Sequence, residues 1–121
     1  MLIQSVAFKD VFLRMDGKGI STACGAGAGK VNCQRSMAPT GAFKVQKQTD
    51  GTFTIESSKY PGVFLRMDGN GIHAFAGSGS GRVNCQFGAS AWERFKLHEQ
   101  SDGSYTIESA AFPNVFLRMD G

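Results

Sequence analysis

The heptapeptide VFLRMDG begins at residues 11, 63 and 115, so the chain repeats itself with a period of 52 residues. Shorter matches keep the same period. VNCQ at 31–34 returns at 83–86, FK at 43–44 returns at 95–96, and DGTFTIES at 50–57 returns as DGSYTIES at 102–109. IQS at 3–5 aligns with IES at 55–57. Self-similarity at such a period makes each copy one supersecondary unit that buries its apolar face against its neighbours. The 121 residues therefore read as one domain, 1–121, with units 6–57 and 58–109 and a partial unit made of 110–121 together with 2–5.

Inside a unit the apolar residues alternate, which is the period of a strand. Val11, Leu13 and Met15 share one face, with Phe12, Arg14 and Asp16 on the other. Val31 and Cys33 face one way while Asn32 and Gln34 face the other; Phe43 pairs in facing with Val45, and Phe53 with Ile55. Asp50-Gly51 and Asp102-Gly103 stand between the third and fourth strands, where a tight hairpin needs a residue tolerant of positive φ. No helical periodicity is sustained, and the expectation is an all-β chain of four strands per unit.

The pattern SxxFPNVFLRMDG, a VxC strand, FKV and DGxxTIES resembles the β-trefoil, above all its fascin-like branch. It is also similar to the fibroblast growth factor lobes and the arabinofuranose-binding modules. The resemblance spans nearly the whole chain. The Gln-x-Trp signature of ricin-type lectins is not there, since Gln86 and Trp92 stand six residues apart. The resemblance implies a β-trefoil-like fold: a six-stranded barrel with pseudo-threefold repeats, built from fourth strands 2–5, 53–57 and 105–109 and first strands 11–15, 63–67 and 115–119. It also implies cap hairpins at 31–46 and 83–98, with one cap hairpin missing. An uncapped barrel end exposes apolar surface, so a homo-oligomer, as a dimer through that end, or else a mobile third unit, is expected.

The stretch CGAGAGKVN at 24–32 imitates a phosphate loop, and its spacing excludes one. A Walker A loop needs GxxxxGK followed by Ser or Thr; here Cys24 holds the first glycine's place and Val31 follows the lysine. A strand, not a helix, comes next, so no helix N-terminus is offered to an anion. AGSGSGRVN at 76–84 is a second copy, which makes the run part of a repeat. It reads either as a plain surface loop or as a place where the backbone approaches something closely, because glycine costs ~0.5–1 kcal/mol relative to alanine in ordered structure.

The remaining chemistry points to binding. His73 and His98 have no counterparts in the first unit, which carries Ser21 and Gln46 there, and both read as solvated. Three cysteines cannot all pair, and none has CxxC spacing, so neither a structural zinc nor any other cofactor is expected. Cys33 and Cys85 read as small core residues, and nothing near Cys24 lowers its pKa. No convergent nucleophile and base appear, so the chain is expected not to be an enzyme. Net charge is +3 without a basic run, which argues against nucleic acid. The start lacks a secretory pattern and no apolar run could span a bilayer, so a cytoplasmic protein without membrane insertion is expected.

What recurs on the outward face is Phe, Arg and Asp from the first strand with Asn and Gln from the second. Such residues bond sugar hydroxyls and stack on a sugar's apolar face. The reading is a carbohydrate-binding, lectin-like protein with two or three repeat-related sites for a glycan ligand. Asp16, Gly17, Asn32 and loop 25–29 form the first. Asp68, Gly69, Asn84 and loop 77–81 form the second, which His73 and Trp92 improve. Asp120 belongs to an incomplete third. The bland alternative is that each Arg–Asp pair and each Asp-Gly simply stabilises a turn. Other functional readings are a fascin-like protein-interaction or actin-bundling module, and an engineered or truncated repeat array with no activity of its own. A protease inhibitor is disfavoured by glycine loops too pliable for a rigid reactive loop.

Overall fold

The computed structural model describes residues 1–22, 27, 29–35, 42–72 and 81–119. Eight strands form in chain order: β1 (Phe12–Asp16), β2 (Lys30–Gln34), β3 (Phe43–Lys47), β4 (Phe53–Ser57), β5 (Val63–Asp68), β6 (Arg82–Phe87), β7 (Phe95–Glu99) and β8 (Tyr105–Ser109). One short 3-10 helix, Ala91–Glu93, precedes β7. Every pairing is antiparallel. The chain is all-β, as the alternation requires.

Three kinds of turn recur at the repeat period, each for a reason visible in its residues. After β3, Asp50 Oδ1 accepts from Thr52 N at 3.0 Å and Thr52 Oγ1 at 2.6 Å, while Gly51 takes φ 86°. Asp102, Ser104 and Gly103 repeat this before β8. After β4, Ser57 Oγ accepts from Tyr60 N at 3.0 Å and Glu56 Oε2 from Gly62 N at 2.8 Å. Ser109 and Glu108 do the same for Phe112 N and Asn114 N, and Ser5 does it for Phe8 N. The left-handed position of that turn falls on Asp10, Gly62 and Asn114, residues that tolerate it. After β1, Asp16 Oδ1 accepts from Lys18 N at 3.1 Å, and Asp68 Oδ1 accepts from Asn70 N at 3.0 Å after β5.

These turns set the pairings. Residues 3–5 lie along β1 through Ser5 N to Val11 O and Leu13 N to Ile3 O, both 2.8 Å. β4 meets β5 at Glu56 and Phe64, and β8 meets 115–117 through Ser109 N to Val115 O and Leu117 N to Ile107 O, both 2.8 Å. So each of the segments 3–5, 53–57 and 105–109 meets the VFLRM segment that follows it. Among the described residues the expected hairpins 31–46 and 83–98 do not form. β2 pairs back onto β1 and β6 onto β5, while β3 and β7 pair forward onto β4 and β8. The Asp-Gly turns capture the third strand for the fourth, which leaves the second strand to the first. Among the described residues the strands make a two-stranded sheet, β1-β2, and a six-stranded sheet ordered β6-β5-β4-β7-β8 with β3 on β4, and not a closed barrel.

The core gathers Leu13 and Met15 of β1, Phe43 of β3, Ile55 of β4, Val63, Leu65 and Met67 of β5, Cys85 of β6 and Phe95 of β7, with Val31 of β2 and Ile107 of β8 partly buried against it. Phe43 and Phe95 occupy equivalent places and are fully buried, each contributing about 1.5–3 kcal/mol by leaving water. Cys85 is buried as expected, whereas Cys33 is only half-buried. The difference is the cover. Gly29 N donates to Cys85 O at 3.1 Å, so the approach to β2 lies across β6 of the following unit. A side chain at Gly29 would fall on Cys85 Sγ and come within 2.6 Å of Ile20 Cδ1. Gly29 is thus a place of close backbone approach.

Gly29→Ala is expected to cost about 1–3 kcal/mol through overpacking, although the φ of Gly29 is ordinary. In urea unfolding, the double variant with Cys85→Ala should lose less than the sum of the single losses, by roughly 1 kcal/mol. Strict additivity would contradict the contact.

Candidate functional site

The repeated outward residues meet in pairs fixed by strand register. In the first unit Phe12 stands opposite Gln34, Arg14 opposite Asn32 and Asp16 opposite Lys30. In the second, Phe64 faces Gln86, Arg66 faces Asn84 and Asp68 faces Arg82. The sequence therefore does bring Asp16 near Asn32 and Asp68 near Asn84, each with an arginine between them.

The two copies differ in what lies over them. Arg14 NH1 donates to Asn32 Oδ1 at a long 3.5 Å, and Arg14 NH2 stands 3.6 Å from Asp16 Oδ2. The Arg14 and Asp16 side chains are 26% and 32% exposed, and Asn32 is open to solvent. One Asp16 oxygen is held by Lys18 N. That hydrogen bond, chiefly, and then the charges of Arg14, Lys30 and Lys18, hold its carboxyl below the usual carboxylate range against a smaller cost of desolvation. The first unit thus presents fixed charges of both signs beside an amide.

In the second unit the same residues are enclosed. Arg66 NH1 donates to Asn84 Oδ1 at 3.2 Å, and the Trp92 ring lies 4.5 Å from the guanidinium carbon. Glu93 Oε2 stands 3.8 Å from Arg66 Nε, with both side chains almost wholly buried at 0% and 3%. Glu93 Oε1 accepts from Ser90 N at 2.7 Å and Ser90 Oγ at 2.9 Å, which fixes the short helix carrying Trp92. Trp92 also packs edge-on against Phe112 at 5.1 Å between centroids. Stacking on a cation in a desolvated place is worth up to about 2 kcal/mol. The first unit has Thr40 and Gly41 at the corresponding positions, so the counter-charge and the ring are particular to the second.

Several expected site residues sit elsewhere than expected. Trp92 covers Arg66 and does not widen a second site. Gly17 is buried, and a Cβ there would meet the Val63 methyls at 2.9 Å. Gly69 is likewise buried against Phe112 at 2.9 Å and Val115 at 3.1 Å. Both glycines serve the packing of one unit on the next. Loop 25–29 was assigned by sequence to the first unit's site, yet Gly27 and Gly29 abut Asn84 and Cys85 of the second. His73 and Asp120 lie outside the described residues, as do most positions of loops 25–29 and 77–81. Sequence reasoning missed Glu93 and Arg66 as a buried pair; the Ser90–Glu93 spacing of a capping box was the available signal.

Two other titratable features complete the chemistry. Burial, and secondarily the Asp16 carboxylate, pushes the Cys85 thiol up to about 11, so it is inert as a nucleophile at neutral pH. His98 is exposed as expected, but its Nε2 stands 2.6 Å from Glu108 Oε1. Among the described residues, no three His, Cys, Asp or Glu gather as a metal ion would require. No helix among them is long and apolar enough to cross a membrane. Comparison with protein-family models, curated proteins and solved structures finds no match to the chain.

Glu108 is held below the usual carboxylate range first by Asn114 N and then by His98. A depressed folded-state value stabilises the fold above the unfolded carboxyl's value and loses that contribution as pH falls through the depressed one. Acidification below about pH 4.3 should therefore destabilise the protein partly through this group. In Glu108→Gln the fall in urea midpoint between pH 7 and pH 3 should be smaller. An acid limb identical to that of the parent protein would contradict this role.

Proposed function

We propose that this chain is a binding protein, without catalysis, that recognises a glycan on the outward face of β1 and β2. The observation that carries this is the contrast between equivalent residues. Arg66 and Asn84 are consumed by the fold, whereas Arg14, Asp16 and Asn32 stand beside one another with exposed polar atoms. Arg14 supplies planar donors, Asn32 both donates and accepts, and Asp16 keeps an acceptor oxygen turned from the turn. Phe12, on the same face two residues before Arg14, offers apolar surface to a sugar ring. The two or three sites expected from the repeat thereby reduce to one complete site in the first unit.

The same proposal takes the three turn-linked strand pairs as the corners of a β-trefoil-like arrangement. Its support is that Ser5, Ser57 and Ser109 hold one and the same turn geometry at each corner.

A glycan array followed by titration with the retained sugar tests the assignment. Arg14→Ala and Asn32→Ala should each weaken binding about tenfold, the loss of one polar contact involving a charge. Asn84→Ala should leave affinity unchanged and lower the urea midpoint. Full affinity in Asn32→Ala, or no glycan retained at all, would overturn the reading.

A further inference from the structure

We propose that the apolar cavity around Ile3, Ile55 and Ile107 is a binding site for an uncharged small molecule with an unbranched alkyl chain. The cavity measures about 600 Å³. Small-molecule sites occupy about 300–1,000 Å³. Among the described residues its lining takes nothing from the outward face of β1 and β2, so the site stands apart from the glycan reading.

Its walls follow the 52-residue period. Ile3, Ile55 and Ile107 are equivalent to one another, and so are Met1, Phe53 and Tyr105, two residues earlier in each copy. Val45 of β3 stands opposite Ile55, and Leu97 of β7 stands opposite Ile107, so both add aliphatic surface to the same space. Met1, Ile3 and Gln4 line the remaining side. The cavity therefore follows the N-terminal segment for several residues, a form that suits an extended chain better than a compact ring.

Depth and charge narrow the occupant further. Ile55, at the floor, is 1% exposed, whereas Met1 and Tyr105 are 75% and 58% exposed, so the cavity opens to solvent at the end they border. Among the described residues no charged side chain lines it, and the Met1 ammonium donates to the Phe43 carbonyl at 2.8 Å. A charge carried into such a lining would lose its water without gaining a partner, so the buried part of the ligand is uncharged. Walls this apolar also give water few hydrogen-bond partners, which favours an apolar occupant over a hydrated space. Ser104 Oγ donates to Asp102 Oδ1 at 2.6 Å and is committed to its turn. The Gln4 amide and the Tyr105 hydroxyl, on exposed residues of the lining, are the groups that meet the polar end of the ligand.

The probes are hexanol, octanol and decanol, each titrated into the full chain. Calorimetry should show saturable 1:1 binding whose affinity rises about fourfold with each added methylene. Methyl NMR should place the largest shifts at Ile3, Ile55 and Ile107. Val45→Trp fills the cavity from β3 and should weaken octanol binding at least about tenfold, because the ring takes the place of the alkyl chain. If that variant does not fold, the chain-length series and the methyl shifts of the parent protein decide the matter. No binding of decanol up to its solubility, affinity that does not change with chain length, shifts confined to other side chains, or undiminished binding by folded Val45→Trp would each overturn the proposal. So would a stable dimer, closed over the cavity, that octanol does not dissociate in light scattering.

Discussion

The backbone of Gly29 laid against Cys85 is the contact on which the arrangement of the units depends. Its N–H donates to the Cys85 carbonyl at 3.1 Å, and the thiol behind that carbonyl lies 3.7 Å from Asp16 O and 3.9 Å from Lys30 O. A side chain at position 29 would occupy the sulfur's place. Gly17 against Val63 at the same joint, and Gly69 against Val115 at the next, obey the same constraint. Each unit docks on the next through backbone, and only glycine leaves the room. The 16 glycines of the chain thus reflect joints as well as turns. The cost of glycine in ordered structure is offset by the burial that close approach permits.

Repetition fixes geometry more strictly than it fixes environment. Arg14 and Arg66 occupy the same place in the same strand, each beside the same asparagine. One is partly solvated; the other is sealed beneath Trp92 and neutralised by Glu93. A charge buried in this way requires a partner, because removing one member of a buried pair commonly costs about 3–5 kcal/mol. The second unit has committed its polar face to the fold, and the first has kept that face available. Divergence between copies is therefore where function separates from framework.

Much of this was legible in the sequence. The 52-residue period, the alternation of Val11, Leu13 and Met15, and the Asp-Gly turns before β4 and β8 are all found where the residues place them. Other features were not legible, for physical reasons. Alternation tells which face a side chain takes but not which strand lies beside it, and β2 and β6 pair with β1 and β5 rather than with the third strands. Glu56 and Ser57 take opposite faces of the strand, yet both side chains bond the backbone of the following turn. The contacts of Gly27 and Gly29 with Asn84 and Cys85 are not legible, because chain proximity is visible in a sequence and a contact with the next unit is not. Trp92 offered a ring, and its position over Arg66 depends on a buried carboxylate one residue later.

Gly27 and Gly29 lie docked on the following unit, against Asn84 and Cys85. Hydrogen exchange at the Gly29 amide, in protein with no ligand added, tests this docking most directly. Protection at least about 100-fold above that of the Gly19 amide in its exposed turn is expected, because the Gly29 N–H opens only when the units part. Exchange of Gly29 as fast as that of Gly19 would contradict it.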